Sequence, residues 1–292
     1  MRDIIPSLIK RANVVMEALP YLMNFYGKTI VIKYGGAAMQ DAALKESVIR
    51  DVVLLKYVGM NPVLVHGGGP EINQYLKKKG IEPRFVGGYR VTDRETMKVV
   101  EKVLGDKINS EIVTAIKKMG GKAKGFWGKK GRVIKAFKYF KKDEAGNKID
   151  LGFTGQVGGV RYRFLNKWMK LGYIPVLTSI GVGKSGKTYN INADKAAAAI
   201  AAHLKAAKLM MLTDVRGVLD KDGKLISEVN TYRAQKMIKA GAISGGMIPK
   251  VKSGLYAIKK GVEKVHIIDG RVPHAILLEI FTDYGIGTMV VK

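Results

Sequence analysis

Apolar and polar positions along this chain fall into a repeating cycle. A short run of β-branched or aliphatic residues reads as a buried strand, a glycine turn ends it, and a stretch with helical spacing follows. The first cycle is Ile30, Val31 and Ile32, then Lys33-Tyr34-Gly35-Gly36, then a helical pattern over 41–57. The second is a strand over 63–65, then Gly67-Gly68-Gly69, then a helix over 71–79. Further strands are expected over 173–177, 209–212, 265–268 and 286–291. Helices are expected over 164–171, from Ala196, from the 244–250 loop, and over 274–281. Residues 221–224 read as a turn. Strands alternating with helices imply a mainly parallel central sheet between helical layers, an α/β/α sandwich. In such folds ligands sit at the carboxyl ends of the strands, where these glycine turns fall.

Two regions break the cycle. Residues 1–26 carry an apolar stripe (Ile4, Ile5, Leu8, Ile9, Val14, Val15, Leu19, Leu22) ahead of the first strand. They read as a separate helix, either packed on its own domain or docked on another subunit. Residues 83–93 read as a hairpin with Asp93 capping the next helix. Residues 120–126, 132–140 and 151–160 alternate as strands, a β-rich insertion expected to form a flap or a sheet edge.

Composition narrows the chemistry. The 292 residues are enough for one large α/β domain or two lobes. The chain has no cysteine, which excludes disulfides, thiolate metal sites and a cysteine nucleophile. His66, His203, His266 and His274 show no metal-ligand spacing. No apolar run reaches the roughly 18–20 residues of a membrane span, and no secretory signal opens the chain. A soluble cytoplasmic protein without a membrane partner is therefore expected. The net charge of +27 is spread along the chain rather than gathered in a nucleic-acid-binding motif. It implies salt-sensitive adhesion to polyanions rather than specific nucleic-acid binding.

The glycine turns gather a set of charged residues. Lys33 and Lys250 stand at loop–helix junctions, where backbone N–H groups and helix N-termini favour anions. Asn190, Asn192 and Asp194 alternate into an alanine-rich helix; capping accounts for one of them, not three. Asp194 is placed to order the lysines. Arg90 is placed to clamp a carboxylate, or else to pair with Asp93. His66 reads as a packed turn residue. No nucleophile–base pair is present, and no Gly-x-x-x-x-Gly-Lys-Ser/Thr loop. Phosphoryl transfer needs little covalent help from a protein, and a carboxylate acceptor is already ionised at neutral pH. The remaining barrier is anion–anion repulsion, which glycine N–H groups, two lysines and Mg²⁺ would lower.

Six stretches together resemble the amino acid kinase family, and within it the branch that acts on N-acetyl-L-glutamate. They are 32–36, 65–73, 90–93, 189–194, 212–219 and 244–250. The resemblance implies ATP-dependent phosphorylation of the side-chain carboxylate of N-acetyl-L-glutamate in arginine synthesis, with Mg²⁺ held mainly by the nucleotide. It implies that Lys33 contacts the phosphoryl group in transit, Lys250 the ATP phosphates, and Asp194 both lysines. Gly35, Gly36, Gly67 and Gly68 would donate backbone N–H groups, and Arg90, Asn190 and Asn192 would hold the substrate. Thr213, Asp214, Gly217, Val218, Leu219, Gly245, Gly246 and Met247 would line the nucleotide site. Residues 27–205 would then form the amino-acid lobe and 206–292 the nucleotide lobe. Resemblance to members with an N-terminal helix such as 1–26 implies a homo-oligomer, a dimer or a hexamer built as a trimer of dimers, with arginine as effector, here at Tyr26, Glu279 and Gly287. Related acylamino-acid kinases for a longer acid, and a sensing homologue, remain as alternatives. Three positions depart from the family pattern: Ala37 after the glycine pair, Lys130 where an acid is usual, and Lys195 directly after Asp194, where it is expected to perturb the lysine–aspartate balance.

Overall fold

The computed structural model describes residues 5–283 and 285–292, without the side chains of Pro6 and Ala37. Ile4 of the expected apolar stripe, and the side-chain consequence of Ala37, lie outside the described residues.

In chain order the elements are α1 (Ile5–Glu17), α2 (Leu19–Phe25), β1 (Thr29–Tyr34), a 3₁₀ turn (Gly36–Met39), α3 (Ala42–Tyr57), β2 (Asn61–His66) and α4 (Gly69–Lys78). The hairpin β3 (Phe85–Val86) and β4 (Tyr89–Arg90) leads to one long helical run: α5 (Arg94–Val100), a π-helical stretch (Glu101–Asn109) and α6 (Ser110–Lys118). Then come β5 (Ala123–Phe126), β6 (Ile134–Lys142), β7 (Lys148–Val160), α7 (Tyr162–Lys170), β8 (Ile174–Thr178), β9 (Ile180–Val182), β10 (Thr188–Asn190) and α8 (Ala193–Leu204). The chain closes with β11 (Lys208–Thr213), β12 (Glu228–Asn230), α9 (Thr231–Lys239), α10 (Met247–Lys259), β13 (Lys264–Asp269), α11 (Ala275–Ile280) and β14 (Thr288–Val291).

The central sheet runs β12-β14-β13-β11-β1-β2-β8-β5. All its pairings are parallel except β13 with β14. Side chains of β1 alternate between the two faces. Ile30 and Ile32 join a core under α3, α5 and α11, and Val31 joins a second core under α7, α8 and α10. Burial on both faces explains why these strands are continuous apolar runs rather than alternating ones. Ala196 to Ala201 are all nearly inaccessible, so α8 lies close against the sheet.

One strand of the insertion is an edge of the central sheet, as expected, and the rest forms neither an edge nor a flap. Only β5 joins that sheet, as its outer strand, while β6, β7, β9 and β10 close on themselves as a small barrel. Register shifts between Lys135 and Ala136 and between Lys138 and Phe140 bend the β6–β7 ribbon, as bulges do. Sequence patterning placed the three strands but could not show which partner each would take. It also missed β12 and α9. The π-helical stretch brings Gly105 against the Trp127 ring, where no Cβ would fit.

Candidate active site

Because β1 and its neighbours are parallel, their carboxyl ends meet along one edge of the sheet. From β2 the chain adds strands on one side of β1, then crosses to β11 on the other. That switch leaves a crevice beside β1. Lys33 and the Gly35-Gly36 turn end β1, Gly67-Gly68-Gly69 follows β2, and Thr213-Asp214 ends β11. Two of these glycines are required by geometry. Gly36 has φ +71° and lies against the Asp214 carboxylate. A Cβ on Gly68 would come within 2.6 Å of Leu104 and still closer to Ile108.

The centre of the crevice is Asp194, in the first turn of α8. Asn192 caps that helix by accepting a hydrogen bond from the Lys195 backbone N–H at 3.1 Å, which leaves the Asp194 side chain to turn inward. Its Oδ1 faces Lys33 Nζ at 3.2 Å, an ion pair lacking hydrogen-bond alignment, and its Oδ2 accepts from Lys250 Nζ at 3.2 Å. Burial alone would push the carboxyl up. The two ammonium groups outweigh it and hold Asp194 below the usual carboxylate range. Lys33 comes from β1 and Lys250 from the first turn of α10, so one carboxylate ties three elements together.

Beside this bridge is a pocket of about 230 Å³ lined by Lys33, Gly35, Gly36, Gly67, Gly68, Arg90, Asn190, Asn192 and Asp194, among others. That is smaller than the roughly 300 Å³ at the low end for drug-sized ligands and suits a small acid. Arg90 enters from β4. Its Nη2 donates to Asn73 Oδ1 at 2.6 Å and its guanidinium stacks on Phe85 at 4.7 Å. Its Nη1 is buried without a partner, a donor left for a ligand. Asp93 does not pair with Arg90; it caps α5 through the Thr96 N–H at 2.8 Å. Thr154 Oγ1 donates to the Arg90 carbonyl at 2.5 Å, and Asn190 Nδ2 donates to Thr92 Oγ1 at 3.2 Å. Thr92, Thr154 and Asn73 were not singled out in the sequence. A polar residue inside a strand, one within α4 and one between β4 and α5 were their only signal.

His66 is structural. Asn109 Nδ2 donates to its Nε2 at 3.1 Å, so its Nδ1–H donates to the Gly67 carbonyl at 2.9 Å. Burial pushes its pKa down to about 4.

The residues expected around a nucleotide lie at the end of β11, in the loop after it, and at the start of α10. Thr213 is buried at the end of β11. Gly245 and Gly246 face open space and Met247 opens α10. Val218 is buried, its N–H donates to Thr288 Oγ1 at 2.8 Å, and its carbonyl accepts from Ile226. It therefore shapes the loop from Gly217 to Leu219 rather than offering groups to a ligand.

The N-terminal segment divides. α2 packs on its own domain: Phe25 is buried, and Tyr21 donates to Asp283 Oδ1 at 2.6 Å. α1 leaves Leu8, Ile9, Val14, Val15 and Met16 exposed, Val15 by 67%. Near the end of α2, Lys208 Nζ lies over the Phe25 ring at 5.1 Å and donates to His266 Nε2 at 3.0 Å. His266 Nδ1 pairs with Glu279 Oε1 at 2.5 Å, and Glu279 Oε2 accepts the Ile286 N–H at 2.8 Å. Burial pushes Lys208 down to about 8. The structure thus links Glu279 to Phe25, while the Tyr26 ring turns toward Gly59 and Gly287 packs on the Ile267 carbonyl. Lys208 and His266 were missed, although a charged or polar residue inside an apolar strand marked both. Lys130 lies exposed in a turn with Trp127, outside the pocket lining.

Comparison with known proteins identifies the family of the chain. Residues 28–269 match the amino acid kinase family. Acetylglutamate kinase of Syntrophus aciditrophicus is 52% identical over 287 residues, 97% of each chain. That of Aquifex aeolicus is 52% identical over 293 residues, 97% of this chain and 98% of its own. Among solved structures, N-acetylglutamate synthase of Neisseria gonorrhoeae with coenzyme A and N-acetyl-glutamate superposes with TM-score 0.86 at 26% identity. That match covers 96% of this chain and 63% of the longer synthase. Giardia lamblia carbamate kinase bound to AMP-PNP, at 16% identity and TM-score 0.64 over 91% of this chain and 99% of its own, shares the fold. With a three-layer sheet, a lysine–aspartate–lysine bridge at its carboxyl edge and matches along nearly its whole length, this chain belongs to the amino acid kinase family.

Proposed function

We propose that this chain transfers the γ-phosphoryl group of ATP to the side-chain carboxylate of N-acetyl-L-glutamate, a step of arginine synthesis. The observation that carries this reading is the bridge of Lys33 and Lys250 on Asp194, 3.2 Å on each side, at the wall of a small pocket holding the unpaired Arg90 Nη1. The acceptor carboxylate attacks the γ-phosphorus, the bond to the β–γ bridging oxygen breaks, and ADP leaves. One carboxylate anion and ATP become one acyl phosphate and ADP with no change in proton count, so no general base is needed.

The barrier is repulsion between acceptor and phosphate. Lys33 neutralises the transferring group and Lys250 the leaving group, with Asp194 fixing their separation. Backbone N–H groups of Gly35, Gly36, Gly67 and Gly68, with the N-termini of α4, α8 and α10, add fixed positive potential. Arg90 holds the α-carboxylate, with Asn190 and Asn192 beside it. Thr213, Asp214, Gly217, Leu219, Gly245, Gly246 and Met247 form the nucleotide side. Among the described residues no group of three His, Cys, Asp or Glu could hold a metal, and Asp194 is already neutralised by two lysines. On this reading Mg²⁺ enters as part of the MgATP substrate. On this reading 27–205 is the amino-acid lobe and 206–292 the nucleotide lobe, although both contribute to one sheet.

The exposed apolar face of α1 supports assembly of a homo-oligomer through that helix. The Lys208–His266–Glu279 chain under α2 supports arginine control relayed between the N-terminal helix and the last strands. Removing residues 1–26 then reduces a hexamer to a dimer with little arginine response; an unchanged hexamer refutes that part. The reaction is tested by trapping the acyl phosphate with hydroxylamine, using MgATP with N-acetyl-L-glutamate, N-acetyl-aminoadipate, glutamate and aspartate in parallel. Product with N-acetyl-L-glutamate alone, absent in Lys250→Ala, is the expected result. Product only with the longer acid reassigns the substrate, and no product from folded, ATP-binding protein overturns the reading.

A further inference from the structure

Lys195 does not touch the Asp194 balance, contrary to the expectation from its position. Its side chain leaves the first turn of α8 toward the β3–β4 hairpin and donates a hydrogen bond to the Tyr89 hydroxyl there. The same ammonium lies 4.7 Å from the Tyr89 ring centroid and 5.3 Å from that of Tyr139 on β6. The two rings stack at 4.7 Å with 34° between their planes. One cation is thus shared by two aromatic faces and a hydroxyl, each attractive to it.

The place of this contact gives it a consequence. The β3–β4 hairpin pairs only with itself, two residues on each side, and the Phe85 side chain on it is exposed. Its tip, Gly88 and Tyr89, forms a wall of the substrate pocket on one side. On the other side the same two residues wall a larger cleft of about 490 Å³ that reaches α10. The tip therefore stands between two clefts, with the Lys141 side chain against Gly87. Its base is held where Thr154 donates to the Arg90 carbonyl, but the tip is held at Tyr89. Arg90 follows Tyr89 directly, so the position of Tyr89, together with the Asn73 hydrogen bond and the Phe85 ring, sets the entry of the guanidinium into the pocket.

We propose that Lys195 is a positioning residue that latches the hairpin over the substrate pocket and so holds Arg90 ready for the acceptor's carboxylate. Without the latch the hairpin samples open positions, and apparent affinity for the acceptor falls with the closed fraction. The nucleotide, which the proposed reading assigns to other residues than the hairpin, keeps its affinity.

The inference rests on the proposed reaction only in its kinetic arm. Hydrogen exchange of segment 83–92 in the ligand-free protein provides a second arm that needs no substrate. Lys195→Met keeps the aliphatic stem and removes the charge; Tyr89→Phe keeps the ring and removes the hydroxyl. Lys195→Arg restores a cation able to stack and donate. The expected result for Lys195→Met is faster exchange in 83–92 alone, and a KM for N-acetyl-L-glutamate raised roughly fivefold or more with the KM for ATP unchanged. Arg at the position restores most of both, and the double variant with Tyr89→Phe loses less than the two single losses multiplied. Unchanged exchange in 83–92, equal rises in both KM values, or fully multiplicative effects each overturn the latch. If the unaltered chain makes no acyl phosphate, the reaction is wrong, and the exchange arm still decides the latch.

Discussion

Replacing Asp194 by asparagine removes one negative charge from between two ammonium groups and hardly changes the side chain's size. Each ammonium lies 3.2 Å from a carboxylate oxygen, with side-chain exposures of 7% for Asp194, 9% for Lys33 and 20% for Lys250. At an effective dielectric of about 20, one such contact represents roughly 5 kcal/mol of Coulomb energy before desolvation. Desolvation offsets much of it, and removal of one partner from a buried pair costs about 3–5 kcal/mol. The loss divides unequally between folding and catalysis. Lys250, one-fifth exposed, can turn to solvent and relieve the free protein. The transition state cannot use a lysine that has turned away, because its charge must lie on the transferring or leaving oxygens.

For Asp194→Asn, kcat/KM is therefore expected to fall by roughly 10²–10³, about 3–4 kcal/mol. The thermal midpoint should move far less than a loss of that size at a purely structural site would imply. Asp194→Glu keeps the charge, displaces it by one methylene, and should fall between. The assay is hydroxamate formation at saturating MgATP, with kcat and KM taken separately, beside a thermal melt of each variant. A folded Asp194→Asn protein within about threefold of the unaltered kcat/KM would refute a catalytic role for the bridge.

Arg90→Lys keeps the charge but loses the planar fork, so KM for the acceptor should rise roughly tenfold or more while kcat changes little; initial-rate kinetics against N-acetyl-L-glutamate check it. His66 has a folded pKa lowered to about 4 by burial, so the unfolded chain binds its proton first as pH falls. Its contribution to stability is complete above the unfolded value of about 6.5 and declines between there and about 4, and melts at stepped pH should show a loss that His66→Gln flattens. Gly36→Ala forces an alanine into φ +71° against the Asp214 carboxylate; a stability loss of about 1–2 kcal/mol from the backbone alone and a lower kcat are expected, read by denaturant titration and turnover.

The repeating strand–turn–helix cycle was legible because both faces of the central sheet are buried. Such strands are apolar at every position, and glycine turns mark their carboxyl ends. Lys33, Asp194 and Lys250 were legible for a related reason: a charged residue at a glycine turn or helix start has few structural explanations. Pairing was less legible. The alternation in 132–140 and 151–160 fixes which residues face inward, but not whether the ribbon joins the main sheet or closes on itself, since both bury the same face. Lys195 was misplaced because adjacency in sequence suggested adjacency in space. Successive residues on a helix point about 100° apart, so Asp194 turns into the crevice while Lys195 reaches the hairpin.

The positive charge of the whole chain and that of the site act at different ranges. A net +27 raises the local concentration of two anionic substrates, but over a Debye length of about 8–10 Å its distant lysines are screened. Lowering the barrier between a carboxylate and a phosphate requires charge within contact distance at fixed places. Two bare lysines side by side would repel each other and swing apart before any substrate arrived. Asp194 resolves this by holding one ammonium on each oxygen, so their separation is set by the width of a single carboxylate. Because Lys33 and Asp194 come from the first two-thirds of the chain and Lys250 from the last, in the proposed reaction the same carboxylate also aligns the acceptor side with the nucleotide side. A phosphoryl group passing between them then meets positive charge at departure and at arrival without either lysine having to travel.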